Sequence, residues 1–284
     1  MEPFVRTIAE NGCETWRLAN WEQKYPQLTS GFTSRKGGVS REAFDSLNCG
    51  LHVNDNPADV VTNRQLLAEA IGASFDACTY AEQVHGREIQ VVAKAQAGAG
   101  NSSREKALQA KDGFVTNVPG IYLHALFADC VPLYFYDPVH KAVGLAHAGW
   151  KGTVLQIAKA TLETMSAAYG TKPRDVYAAI GPSIQGCCYE VDENVITRVD
   201  KTLRELGLSN QVGAQEYVYK TISEGKWMLS LQQLNRQIMI KAGIMPVHIE
   251  ISTLCTSCQV EDFFSHRKEG GKTGRMAAWI GIRE

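Results

Sequence analysis

No stretch of this sequence is both long enough and apolar enough to cross a bilayer. The longest apolar run, 121–136, carries His124, Asp129 and Pro132 and is too short and too polar for a spanning helix. The residues Met1–Thr7 lack the apolar stretch of a signal peptide. A cytoplasmic protein is expected. Thiols stay reduced in that compartment, so the eight cysteines need an explanation other than disulfides. Most of them read as small buried side chains. An excess of one charge is lacking too. At a formal net charge of -1, no global field draws the chain to nucleic acid or an anionic membrane, and neither is expected as a partner. Arg267, Lys268, Lys272 and Arg275 form basic clusters that suit a small anion better than a polymer. No Gly-x-Gly-x-x-Gly follows a strand-like run, and there is no Walker loop. Heptads, short repeats and low-complexity tails are missing, and no apolar stripe announces an oligomer interface.

What is present is a chain of 284 residues with 44% hydrophobic content, enough to bury a substantial core. Asn56-Pro57 caps a helix whose apolar positions run to Ile71 and end at Gly72. The spacing predicts a second helix over 153–169, closed by Gly170, and two more over 192–206 and 230–242. Short runs rich in branched and aromatic residues predict strands at 88–92, 122–127, 131–136, 142–146, 176–180, 247–251 and 276–282. Strands come in groups with helices between them, without strict alternation, which favours α+β with mixed sheets. The Gly- and Ser-containing stretch 96–111 reads as a mobile surface loop, and 208–216 as a second polar connection.

Three strong metal donors end or follow strand-like runs: His85 in Glu-Gln-Val-His-Gly, Cys130 in Ala-Asp-Cys-Val-Pro, and His147 in Ala-His-Ala-Gly-Trp. Two imidazoles and a thiolate suit Zn²⁺, and three protein ligands leave a fourth position for water or substrate. Each donor alone reads more simply as a hydrogen-bonded or buried structural residue. Asp129 precedes the cysteine and is either a general base or a carboxylate held by nearby N–H groups. Cys255-Thr-Ser-Cys258 is one C-x-x-C without a second pair at that spacing, so a zinc ribbon is not indicated, and a role in lining or supporting a pocket is expected. The segment 263–275, with His266 and Arg267, offers cations and a Gly-rich turn to a phosphate, or is a solvated hairpin. Asn48 in 46–53 faces a ligand or bonds its own backbone.

In combination these segments resemble a known family. Ser-Leu-Asn-Cys-Gly-Leu-His-Val at 46–53, Asn63-Arg64, Glu82–Gly86, Asp112-Gly113, Phe127–Pro132, His147–Trp150, Ala179–Pro182, Cys187-Cys188-Tyr189, Cys255–Cys258, Ser265-His266-Arg267 and Thr273-Gly274-Arg275 occur in the order found in the laccase-domain, or YfiH/YlmD-type, purine nucleoside phosphorylase family. The likeness runs from about Gly31 to the end of the chain. Lys151 stands where many members carry Arg, which keeps the charge and loses the bidentate fork.

The resemblance implies one α+β domain over 1–284, with two packed mixed sheets flanked by helices in α/β/β/α layers and the N-terminal 30 residues or so peripheral. It implies that His85, Cys130 and His147 bind a catalytic zinc. It implies phosphorolysis of adenosine, inosine and methylthioadenosine, with adenosine deamination as a second activity. Zinc lowers the pKa of bound water toward about 7, which suits attack on purine C6 with Asp129 moving protons. Phosphorolysis asks for cations on phosphate, with Arg64 and Arg267 the candidates, Asn48 a further polar contact and His266 a proton donor. The former description of this family as copper polyphenol oxidases fits the sequence less well, because seven histidines are few for several coppers. Cu²⁺ nonetheless binds such a donor set tightly. A cysteine hydrolase with Cys130 as nucleophile, His147 as base and Asp129 as orienter is the rival reading.

Overall fold

The computed structural model describes residues 2–208 and 217–284. In chain order the strands are β1 (Phe4–Ile8), β2 (Glu14–Leu18), β3 (Leu28–Thr33), β4 (Cys78–Tyr80), β5 (Ile89–Val91), β6 (Gly113–Thr116), β7 (Tyr122–Phe127), β8 (Val131–Asp137), β9 (Ala142–Ala148), β10 (Tyr177–Ile180), β11 (Glu190–Val191), β12 (Tyr219–Ser223), β13 (Lys226–Leu229), β14 (Ile249–Ile251) and β15 (Met276–Ile282). The α-helices are α1 (Ala19–Lys24), α2 (Pro57–Ala70), α3 (Trp150–Val154), α4 (Ile157–Tyr169), α5 (Glu193–Glu205) and α6 (Leu231–Lys241). Among the described residues no helix is long and apolar enough to cross a membrane.

Two six-stranded sheets, ordered β1-β2-β3-β15-β7-β4 and β14-β10-β8-β9-β6-β5, form the body, with a small sheet β11-β13-β12 beside them. Both large sheets are mixed: β4 runs parallel to β7, β5 to β6 and β14 to β10, whereas the other pairings are antiparallel. Strand periodicity sorts the side chains into three apolar layers. Leu123, Ala125 and Phe127 of the first sheet meet Tyr134, Tyr136, Val143 and Leu145 of the second. Their alternates on the outer faces pack against helices: Tyr122, Leu126 and Trp279 with Leu67 of α2, and Leu133, Phe135 and Ala146 with α4, α5 and α6. The layer order is therefore α/β/β/α, as expected.

Several sequence expectations are adjusted. The N-terminal residues are not peripheral: β1 and β2 extend the first sheet, and Phe4, Leu18 and Trp21 are buried. The helix expected over 153–169 is two helices. Gln156 sits between them at φ 59 and turns the chain although the apolar spacing continues through it. The segment 96–111 is a held loop rather than a mobile one, since Arg64 donates to the carbonyls of Gly100 and Asn101. The connection 208–216 lies, past Leu208, outside the described residues. Strands β1–β4, β6 and β11–β13 were not legible. Several are three to five residues long, and a strand buried on both faces shows no alternation.

Candidate active site

His85, Cys130 and His147 come from three neighbouring places at one end of the sandwich. His147 lies near the end of β9, Cys130 just before β8, and His85 in the loop after β4. Register brings two of them together, because His147 pairs with Pro132 and Ala148 with Val131 across β8 and β9. The donor atoms of all three lie within 4.8 Å of one another. Two are reached through uncommon backbone. His85 has φ 60, and Asp129, which aims Cys130, has φ 84. Left-handed non-glycine residues cost on the order of 1–3 kcal/mol and persist where their surroundings hold them.

Asp112 does the holding at His85. Its buried carboxylate accepts the N–H groups of Val84 at 3.1 Å, His85 at 2.9 Å and Gly86 at 2.7 Å. The same carboxylate faces His147 Nδ1 at 2.9 Å, which leaves Nε2 of that ring for the other donors. Gln83 fastens the loop from its other side, donating to Leu126 O at 2.9 Å and accepting from Leu126 N at 2.8 Å. Gly149 completes the cradle. A Cβ there would lie 3.0 Å from Cys130 Sγ and 3.1 Å from His85 Cδ2.

Without a metal the site holds a thiolate beside a protonated imidazole, and that proton has to leave His147 when a cation binds. Burial alone pushes the Cys130 thiol up, but the charge of His147 and hydrogen bonds from both histidines overcome it and bring the thiol down to about 6. Burial works against a proton on His147. The charge of Cys130 and the hydrogen bond to Asp112 raise it to about 9. Two nitrogens and an easily ionised sulfur, converging and backed by a carboxylate, fit a divalent borderline-soft cation.

A cavity of about 350 Å³ opens on this triad, within the size range of small-molecule sites. Its wall includes His52, Glu82, Arg104, His266 and Arg275. Glu82 and Arg104 form an ion pair, and Arg275 uses Nη1 on the carbonyls of Thr273 and Gly274, each at 2.8 Å.

The expected site residues separate into two groups. His85, Cys130 and His147 converge, and exposed His266 reaches the cavity wall. Asn48 is buried as an internal brace: its Oδ1 accepts from Gly50 N and Arg275 N, and its Nδ2 donates to Asp55. Arg64 touches the cavity but is 2% exposed, with Nε and Nη1 committed to the carbonyls of Cys49, Gly100 and Asn101 and its plane over the Tyr80 ring. A free phosphate cation is not what that geometry provides. Arg267 faces elsewhere, donating to Glu190 O at 2.9 Å above the Tyr189 ring. Asp129 accepts from Thr256 Oγ1, Ser265 Oγ and Arg267 N, which makes it the anchor of the turn that carries His266, and it also lines a second cavity together with His85 and Cys130. Lys151 lines a second cavity of about 280 Å³ that also reaches His85 and Cys130. Asp112 stood in the sequence only as part of the Asp112-Gly113 motif of the family resemblance, with no role attached to it.

Fold and site together define the class: a layered α/β/β/α protein with one mixed imidazole–thiol centre at a cavity. The chain belongs to the family described as multi-copper polyphenol oxidoreductase laccase, whose model matches residues 29–283. It is 41% identical to purine nucleoside phosphorylase YlmD of Bacillus subtilis over 95% of this chain and 94% of that one. It is 32% identical to adenosine deaminase RL5 of an unknown prokaryotic organism, over 88% of this chain and 92% of that protein. The crystal structure of YlmD from Geobacillus stearothermophilus superposes with a TM-score of 0.91 at 38% identity, covering all of both chains (100% and 100%).

Proposed function

We infer that the chain is a zinc-dependent purine nucleoside phosphorylase, acting on adenosine, inosine and methylthioadenosine, with adenosine deamination as a second activity. The observation that carries this reading is the convergence of His85, Cys130 and His147 within 4.8 Å at a cavity of about 350 Å³. The relatives named for phosphorolysis and for deamination support it. Zinc bound there supplies Lewis acidity and activates water for attack at the purine.

The chain's own residues supply the rest. Asp112 fixes the tautomer of His147 and the position of His85. Arg275, engaged through Nη1 on two carbonyls, and Arg104, paired with Glu82, line the cavity with the imidazole of His52 and give it cationic and polar groups that match phosphate, in the role first expected of Arg64 and Arg267. In phosphorolysis a phosphate oxygen bonds C1′ as the bond to purine N9 breaks, and His266 gives the departing base its proton. In deamination Glu82, the carboxylate that lines the cavity among the described residues, moves protons in place of Asp129.

A copper polyphenol oxidase is the weaker reading. Among the described residues only one metal-competent group contains histidine. A cysteine hydrolase has a specific observation in its favour: the lowered Cys130 thiol, His147 and Asp112 form a nucleophile–base–orienter series, with Asp112 in the place first given to Asp129. Inosine incubated with and without phosphate decides between them. Phosphate-dependent release of hypoxanthine, abolished by chelation and restored by zinc, is expected. Activity that survives chelation and is killed by alkylation would replace the phosphorylase with the hydrolase.

A further inference from the structure

Four cysteines outside this site meet in space. Cys187 and Cys188 lie in the turn between β10 and β11, and Cys255 and Cys258 in the turn after β14. Their four sulfurs all lie within 4.8 Å of one another. The closest separations are 3.3 Å for Cys188–Cys258, 3.6 Å for Cys187–Cys258, and 3.7 Å for both Cys187–Cys188 and Cys187–Cys255. Four thiolates at the zinc–sulfur distance of about 2.3 Å form a tetrahedron with edges of about 3.8 Å. The cluster is already close to that shape without a cation at its centre.

We propose that Cys187, Cys188, Cys255 and Cys258 form a second, structural metal centre that holds one zinc ion through four thiolates. The chain has no second C-x-x-C pair because the partner ligands, Cys187 and Cys188, are adjacent in sequence. Binding replaces four S–H bonds with four zinc–sulfur bonds and releases the protons to solvent. A closed tetrahedral shell of sulfur selects zinc, or iron, over oxygen-loving cations. Two disulfides, Cys187–Cys255 and Cys188–Cys258, would also use all four sulfurs, and the mass of the intact chain separates that arrangement from a metal centre.

The backbone is arranged around the cluster. Gln259 N bonds Cys255 O at 3.0 Å and closes the C-x-x-C turn, Cys188 N bonds Gln185 O at 2.9 Å, and Thr256 N bonds Ser183 O at 3.1 Å to join the two turns. Thr256, between the two turn cysteines, donates its hydroxyl to Asp129 at 2.7 Å. Asp129 adjoins Cys130 in the chain and anchors Arg267 N. The zinc knot therefore braces the floor of the first site without touching its cavity.

The test measures metal content and thiol reactivity on the full chain purified without chelator. In the variant Cys130→Ser/His147→Ala, about one zinc per chain should remain, and Cys187→Ser/Cys258→Ser in that background should remove it. Cys187 and Cys258 are exposed. Exposed or not, a thiol reacts with iodoacetamide only as thiolate, so the readout is the change on metal removal: if zinc holds these sulfurs, a strong chelator should change their alkylation rate at least about tenfold. This readout needs no variant to fold. Cobalt substituted at the site should give intense thiolate charge-transfer bands. An alkylation rate that the chelator leaves unchanged, a mass two or four hydrogens lower from one or two disulfides, or iron in place of zinc would overturn the proposal.

Discussion

Asp112 Oδ1 stands 2.9 Å from His147 Nδ1 and also accepts the backbone N–H of His85 at 2.9 Å. One buried carboxylate thus positions two of the three donors. In Asp112→Asn the amide NH₂ would oppose either an N–H of the 84–86 loop or the ring. Metal affinity should fall about 10- to 100-fold, measured by competition with a chelator of known affinity. Unchanged affinity would reduce Asp112 to a loop brace.

Gly149 has φ -66, so alanine fits its backbone. The new methyl meets Cys130 and His85 instead. Gly149→Ala should lower metal occupancy and both proposed activities by at least about tenfold while the fold stays intact. Full occupancy, read by elemental analysis, would show that the donors can move aside.

Arg64 supports the structure from beneath the cavity. Arg64→Leu leaves the buried carbonyls of Cys49 and Gly100 and the part-buried one of Asn101 short of their donor, at about 1–3 kcal/mol for each buried group. The denaturation midpoint should drop sharply, and both activities should decline together. A selective rise in the phosphate KM at unchanged stability would return Arg64 to the phosphate site.

His124 is fully buried, stacks on Tyr80 with centroids 4.8 Å apart, and has no hydrogen-bond partner for either ring nitrogen among the described residues. Burial lowers its pKa from 6.5 to about 3, with Arg64 adding to the effect. The unfolded chain therefore takes up a proton on this ring before the folded chain does. The stability from its neutral form is complete above pH 6.5 and declines as the pH falls from there toward about 3. The loss at pH 5 is about 2 kcal/mol. His124→Phe should remove that part of the acid sensitivity, measured as the difference in denaturation midpoint between pH 8 and pH 5. An unchanged difference would assign the effect to other groups.

The longer elements were legible because local chemistry agreed with the final packing. Asn56, Asp192 and Ser230 cap α2, α5 and α6 as side chains that accept from helix N–H groups. Strands β7 and β15 have the bounds that their apolar runs predicted. The break at Gln156 was hidden because apolar spacing records which face is buried and does not register one residue turning left-handed. The candidate site was legible in the same uneven way. His85, Cys130 and His147 stood out by donor chemistry, whereas Asn48, Arg64, Asp129 and Arg267 were chosen for charge or polarity within the family motifs.

The sequence by itself determined the donor types, the capped helices, the buried strands and the absence of a spanning helix. It could not say which polar groups were already engaged, because that depends on partners distant along the chain. Asp129 meets Thr256 and Ser265, and Arg64 meets Gly100, only after the sheets have stacked. Tertiary structure decided which charges were left facing the cavity, since a buried polar group bonds its nearest partner wherever that partner lies in the chain.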